Sequence, residues 1–144
     1  MKIAFVSDTF VPEFNGIVTA TVRHTAGLVA RGHDVRMYCP HYPTDAAAPE
    51  GVAVRRYPSF SWPGNPDTRV SLVWPPALAR ELGDFGPDVI HVQTSLALGL
   101  SGLYAARRLG IPSVQTYHSW IPGFMAYIRP GRVLGLVRGP IRPR

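Results

Sequence analysis

The feature that most limits what this chain can fold into is its alternation between short apolar runs and segments with helical spacing. Residues 3 to 6 are an apolar run that stops at Ser7 and Asp8, as a buried strand stops before a loop. From Ile17 to Arg31 the spacing turns helical: Val18, Val22, Ala26 and Val29 share one face, and Gly32 stands just past the end. A strand follows from Asp34 to Cys39, closed by Pro40, and another lies around Val52 to Tyr57. Asp88 to Val92 reads as a strand, and Ala97 to Leu109 as a helix with Leu98, Gly102, Ala105 and Leu109 on one face. Gly110 ends that helix, and Pro112 opens a strand from Ser113 to Tyr117. Such alternation predicts an α/β fold, a doubly wound parallel sheet with helices on both faces.

One stretch interrupts the pattern. Residues 58 to 76 hold five prolines with Trp62, Trp74 and Asn65, and read as an irregular excursion before a short helix near Ala77 to Leu82. A connector of that length is often functional, the alternative being a disordered insertion. The 144 residues, 46% of them apolar, suffice for the core of one domain. The single cysteine, Cys39, excludes an internal disulfide and a zinc site of paired thiolates, and fits a reducing cytoplasm. The apolar run at the start is too short for a signal peptide, and no stretch approaches the ~20 apolar residues of a membrane span.

Charge is divided along the chain. Residues 1 to 88 carry 8 basic and 9 acidic side chains, whereas residues 89 to 144 carry 7 arginines and no acid. That asymmetry marks either contact with phosphate, on a nucleotide or a lipid headgroup, or a solvated basic edge. Five of the seven arginines fall in residues 129 to 144, interleaved with Val, Leu and Ile. A non-catalytic module binding phosphate or an anionic membrane is therefore a second reading of the chain. Nucleic acid is disfavoured, because no recognition motif accompanies the basic residues.

In a doubly wound sheet, ligands bind beyond the C-terminal strand ends, where strand order reverses. That rule selects Asp8 to Gly16, Gln93 to Leu96 and His118 to Trp120. Asn15-Gly16 opens a helix, whose free amides and dipole favour an anion, although the same dipeptide makes ordinary turns and caps. His118 can hold a hydroxyl or act as acid or base, or be a satisfied structural histidine. His91, inside a strand, and His33 read as structural, while His24 and His41 show no partner spacing. The sole lysine, Lys2, excludes a P-loop; Gly16 standing alone excludes the dinucleotide fingerprint; Leu103 breaks a nucleophile elbow at Gly99 to Leu103. No zinc or calcium motif is present.

Four blocks in order resemble the N-terminal domain of glycosyltransferase family 4. They are Ser7 to Val18, Gly32-His33-Asp34-Val35, Pro87 to Val92, and Ala106 to His118, and the resemblance covers residues 1 to 128. The pattern is similar to bacterial enzymes that glycosylate membrane lipids, such as diacylglycerol glucosyltransferases and phosphatidylinositol mannosyltransferases. The resemblance implies a Rossmann-like acceptor-binding domain, the N-terminal half of a GT-B enzyme that transfers sugar from a nucleotide-sugar donor with retention and without metal or other cofactor. It implies that Asn15 and Gly16 meet the donor diphosphate and that His118 is catalytic, beside the transferred sugar and the acceptor hydroxyl. Asp8, Glu13, Arg69, Gln93 and Thr94 are implied on the acceptor side, with the aromatic excursion at a headgroup or membrane surface. Gln93 stands where relatives often carry histidine. Residues 129 to 144 read as a truncated or poorly ordered basic tail, with the donor-binding C-terminal domain absent and supplied by the same or a separate chain. The expected location is cytoplasmic, peripheral on the inner face of the plasma membrane, and the isolated chain is expected to be inactive.

Overall fold

The computed structural model describes residues 1–44, 46–63 and 65–118. The basic tail with its five arginines, together with Ser119 and Trp120, lies outside the described residues. In chain order the elements are β1 (Lys2–Val6), α1 (Gly16–Val29), β2 (Asp34–Pro40), β3 (Val52–Tyr57), β4 (Ser59–Trp62) and β5 (Asn65–Ser71). They are followed by α2 (Pro75–Phe85), β6 (Val89–Val92), α3 (Ala97–Leu109) and β7 (Ser113–Gln115). Five strands form a sheet in the order β3-β2-β1-β6-β7, every pair of neighbours parallel. The order reverses between β1 and β6, so the doubly wound expectation holds and the switch point lies between those strands.

β1 is buried on both faces, which is why it reads as an unbroken apolar run. Ile3 and Phe5 pack with Phe10, Val35, Met37 and Cys39 under Val22, Leu28 and Val29 of α1. Ala4 and Val6 face the other way, with Ile90 and Val92, against Leu78, Leu82 and Phe85 of α2 and Leu98, Ala105 and Ala106 of α3. Each fully buried Leu, Val or Phe here contributes about 1.5–3 kcal/mol of burial, enough to fix which face each helix covers. Gly102 lets α3 lie close to the sheet, since a Cβ there would stand 3.1 Å from Val6 Cγ1.

The excursion at residues 58 to 76 is ordered where irregular structure was expected. β4 and β5 form an antiparallel hairpin, with Ser59 opposite Ser71, Phe60 opposite Val70 and Ser61 opposite Arg69. The prolines are placed where they do no harm: Pro58 precedes β4, Pro63 sits in the turn, and Pro66 lies in a strand of a two-stranded sheet, where half the backbone donors face outward. Pro75 and Pro76 begin α2, whose first positions need no N–H donor, so that helix is longer than the expected Ala77 to Leu82. β7 is shorter than expected and stops at Gln115.

Candidate functional site

The loop after β1 is built by its own polar side chains. Asp8 is buried, and its carboxylate accepts from Thr94 Oγ1 at 2.7 Å and from the N–H groups of Leu96, Leu98 and Gly99 at 3.0, 2.7 and 3.2 Å. It therefore caps the first turn of α3 from the neighbouring strand end, where the residue at the cap position, Leu96, makes no side-chain bond of its own. Glu13 accepts from Tyr42 Oη at 2.8 Å, from Asn15 Nδ2 at 3.2 Å, and from the Thr9 hydroxyl. Burial raises the Tyr42 hydroxyl well above its ordinary pKa, with Glu13 acting in the same direction. Arg56 donates to the carbonyls of Val11 and Pro40 at 3.1 and 3.2 Å, pinning the same loop to the end of β2.

Asn15 is the N-cap of α1: its Oδ1 accepts from Val18 N at 2.9 Å, and its carbonyl from Thr19 N at 3.0 Å. The amides of Gly16 and Ile17 donate to nothing among the described residues. They sit at the positive end of a 14-residue helix, an arrangement suited to an anion. A Cβ added to Gly16 would meet nothing within 4 Å, and the residue does not occupy the left-handed region. Neither packing nor backbone conformation requires glycine there.

Two adjoining cavities open at these strand ends. One, of about 240 Å³, is lined by Ile17, Gln93, Thr94, Ser95, Leu96, Thr116, Tyr117 and His118. The other, of about 200 Å³, is lined by Asp8, Thr9, Glu13, Asn15, Ile17, Thr68, Arg69, Thr94 and Leu96. Ile17, Thr94 and Leu96 belong to both, so together they form a groove running from His118 past the α1 N-terminus to Arg69. Larger hollows beside Arg55 and Glu81 and along α3 do not touch these loops. The inner face of the hairpin supplies Arg69, which donates through Nε to Ser59 Oγ at 2.8 Å and through one terminal nitrogen to Ser59 O at 2.9 Å. Its guanidinium lies 5.6 Å from the Tyr42 ring centroid, a cation–π contact that holds it at the groove.

His118 Nε2 lies 2.8 Å from Gln93 Oε1. Burial pushes its pKa below the ordinary value, and the nearby His24 adds to this. His91 is lowered for the same reasons, with His118 itself a further contributor. Its ring packs against Phe5 at a tilt of 41° and bonds Thr116 Oγ1 at 2.7 Å. Cys39 is buried and raised to about 12, so its thiol is inert at neutral pH. Among the described residues, no group of three His, Cys, Asp or Glu is placed to hold a metal ion, and no helix is long and apolar enough to cross a membrane.

Every site residue named from the sequence lies on this groove or at its edge. Asp8, Glu13, Asn15, Arg69 and Thr94 share one cavity, Gln93, Thr94 and His118 the other, and Gly16 stands between Asn15 and Ile17 at the α1 N-terminus. Sequence reasoning did not single out Ile17, Thr68 and Thr116, which line the groove, or Tyr42, which holds Glu13. Residues 14–142 match the model of Glycosyltransferase Family 4. The chain belongs to this family. Over 129 residues, 86% of the chain and 34% of the relative, it is 36% identical to a GDP-mannose-dependent alpha-mannosyltransferase of Mycobacterium tuberculosis. The corresponding protein of Mycolicibacterium smegmatis is 35% identical over the same shares. An alpha-monoglucosyldiacylglycerol synthase of Streptococcus pneumoniae is 30% identical over 96% of the chain and 33% of the relative. The chain spans about a third of the length of these relatives.

Proposed function

We propose that this family 4 chain is the acceptor-side half of a retaining glycosyltransferase that moves a hexose from a nucleotide-sugar donor to a lipid or other membrane acceptor. The observation that carries the reading is the groove itself. Free helix amides, a histidine of lowered pKa and a fixed arginine converge on the strand ends at the topological switch point. The donor diphosphate lies against the Gly16 and Ile17 amides, which stabilise charge as the sugar leaves, and no metal is needed for that. His118 lies beside the acceptor hydroxyl. Arg69 and Thr68 face the acceptor headgroup, while Asp8 and Glu13 shape the wall through the bonds already described. The relatives' names, one a mannosyltransferase using GDP-mannose and one a synthase of a glucosyl diacylglycerol, support a hexose donor and a lipid acceptor.

The hairpin supports a membrane position. Ser59 and Arg69 of one side are part-buried and bonded to each other, whereas Phe60 and Trp62 are exposed, with Leu72 and Trp74 just beyond. Phe14, 97% exposed, stands in the loop before α1. Aromatic side chains of this kind favour the headgroup level of a bilayer, which supports a groove working at a membrane surface, in this reading the cytoplasmic face of the plasma membrane. The donor base and ribose are held by a second domain, in the same or a separate chain, so the 144 residues alone transfer no sugar.

Amide NMR of the labelled chain tests this. Millimolar GDP-mannose should shift Gly16 and Ile17, and bicelles containing diacylglycerol should shift Thr68, Arg69 and the hairpin. No product should form when both are present. Shifts confined to other faces, or turnover at rates typical of intact enzymes, would overturn the reading.

A further inference from the structure

The partner of His118 is a neutral amide, and its placement is built into the sheet. Two diagonal polar rungs sit at the end of the β6–β7 ladder, one starting inside β6 and the other just beyond it. His91 meets Thr116, and Gln93 meets His118, each pair 25 residues apart. Between them the backbone bond from Thr116 N to Val92 O, 3.0 Å, keeps the two chains in register. Gln93 is 1% exposed, and its Nε2 has no partner among the described residues. Burying half an amide unsatisfied is unfavourable, and an aliphatic side chain of similar size would avoid it. The bond that this amide does make is the one to His118.

An amide oxygen can only accept. The Nε2 that faces it must carry the proton, which leaves the lone pair of neutral His118 on Nδ1. A carboxylate at the same place would favour imidazolium; an amide does not. Among the described residues, the titratable groups that bear on His118 are His24 from α1 and His91 from β6, and neither supplies negative charge.

We propose that Gln93 is the positioning residue of His118, fixing the Nε2–H tautomer so that Nδ1 accepts a hydrogen bond from a substrate hydroxyl rather than donating one to a phosphate oxygen. The inference rests on the reading that His118 faces the acceptor, and it specifies which nitrogen does so. Gln93 thereby acts through His118, and exchanging it changes the histidine before it changes any ligand contact.

Nitrogen NMR of the imidazole rings in the full chain, with pH titration, reads this without an activity assay. Wild-type His118 should show the Nε2–H tautomer above its pKa. Gln93→Leu should release it to a mixture of tautomers. Gln93→Glu should raise the His118 pKa by about 1–3 through the facing carboxylate. Thr116→Val should alter His91 and leave the His118 tautomer unchanged. An Nδ1–H tautomer in the wild type, which would mean that Gln93 donates through Nε2, overturns the proposal; so does a Gln93→Leu chain with wild-type tautomer and titration. If Gln93→Leu does not fold, the wild-type tautomer and the Gln93→Glu titration decide it alone. Should the tautomer be as stated while His118→Ala leaves transfer by the complete enzyme intact, the functional reading and the Nδ1 contact to substrate fail, and only the positioning of His118 by Gln93 stands.

Discussion

Replacing Asp8 with alanine should loosen the first turn of α3, and the size of the effect follows from the bonds it makes. The carboxylate takes three backbone N–H groups and one hydroxyl, and two of those amides, Leu98 and Gly99, are bonded in fully buried surroundings. Leaving each without an acceptor costs about 1–3 kcal/mol. Losing a negative charge at the helix N-terminus adds about 0.3–2 kcal/mol. A total near 4 kcal/mol is a large part of the ~5–15 kcal/mol by which a domain is stable. With a urea dependence of about 2 kcal/mol per molar, the unfolding midpoint followed by circular dichroism should fall by about 2 M. Asp8→Asn keeps one acceptor for Leu98 but turns amide hydrogens toward the donors now facing Oδ2, so its midpoint should lie between alanine and wild type. An alanine variant within 1 kcal/mol of wild type (on the scale of an ordinary surface substitution), or an asparagine variant equal to wild type, would show that the carboxylate does not hold α3. The groove is affected too, because Thr94 and Leu96, which line both cavities, are fixed through this carboxylate.

Gly16→Ala should leave stability unchanged or raise it by about 0.5–1 kcal/mol, since the added Cβ meets nothing, while weakening diphosphate binding; a loss above 1 kcal/mol in a thermal melt would make this glycine structural. Gly99→Ala places a Cβ 1.7 Å from the Thr94 carbonyl oxygen and should destabilise by about 3 kcal/mol, and a wild-type melting temperature would contradict the close packing of α3 on the β6 end. Acidification should weaken the fold through His91 and His118, whose folded pKa values lie below the ordinary one. The unfolded chain then binds more protons, so their contribution is full above about pH 6.5 and is lost as the pH falls through the folded values. Urea midpoints at pH 7.5 and 5.5 check this, and a His91→Gln variant with an undiminished pH dependence would count against it.

The parallel sheet was legible because β1 is buried on both faces and because the glycines expected past the ends of α1 and α3, Gly32 and Gly110, both take positive φ, 80° and 66°, although α1 itself is capped by Ala30. The hairpin was not, because its prolines read as breakers, whereas Pro58 and Pro63 lie outside the strands and Pro66 lies where the β4–β5 register is irregular. The deepest residues of α1 include Thr21 and Thr25, which hydropathy counts as polar; their hydroxyls bond the carbonyls of Ile17 and Thr21 within the helix and leave the methyl groups to the core. At the groove, Asn15-Gly16 before a helical segment was a local signal, and Asn15 does cap α1. Glu13 with Tyr42, 29 residues apart, and Asp8 with the α3 amides, 88 to 91 residues apart, had no local spacing to betray them. Such pairs exist only once the sheet order is known.

Two acidic residues beside a site proposed for a diphosphate pose an electrostatic problem, and the geometry resolves it. Unscreened carboxylates a few ångströms from a phosphate would cost about 1 kcal/mol each even at the dielectric of water, and several times that in a sheltered groove. Asp8 instead faces the positive end of α3, its oxygens filled by four donors, and Glu13 is met by Tyr42, Asn15 and Thr9. Their charge is spent on fixing the loop. What the loop leaves unspent are donors: the amides of Gly16 and Ile17, at the positive end of α1 that Asn15 caps. The same loop thus takes negative charge into the fold and presents positive potential to the groove. That is why the acids are compatible with anion binding, and why removing either one should damage the site through the position of the loop rather than through a lost ligand contact.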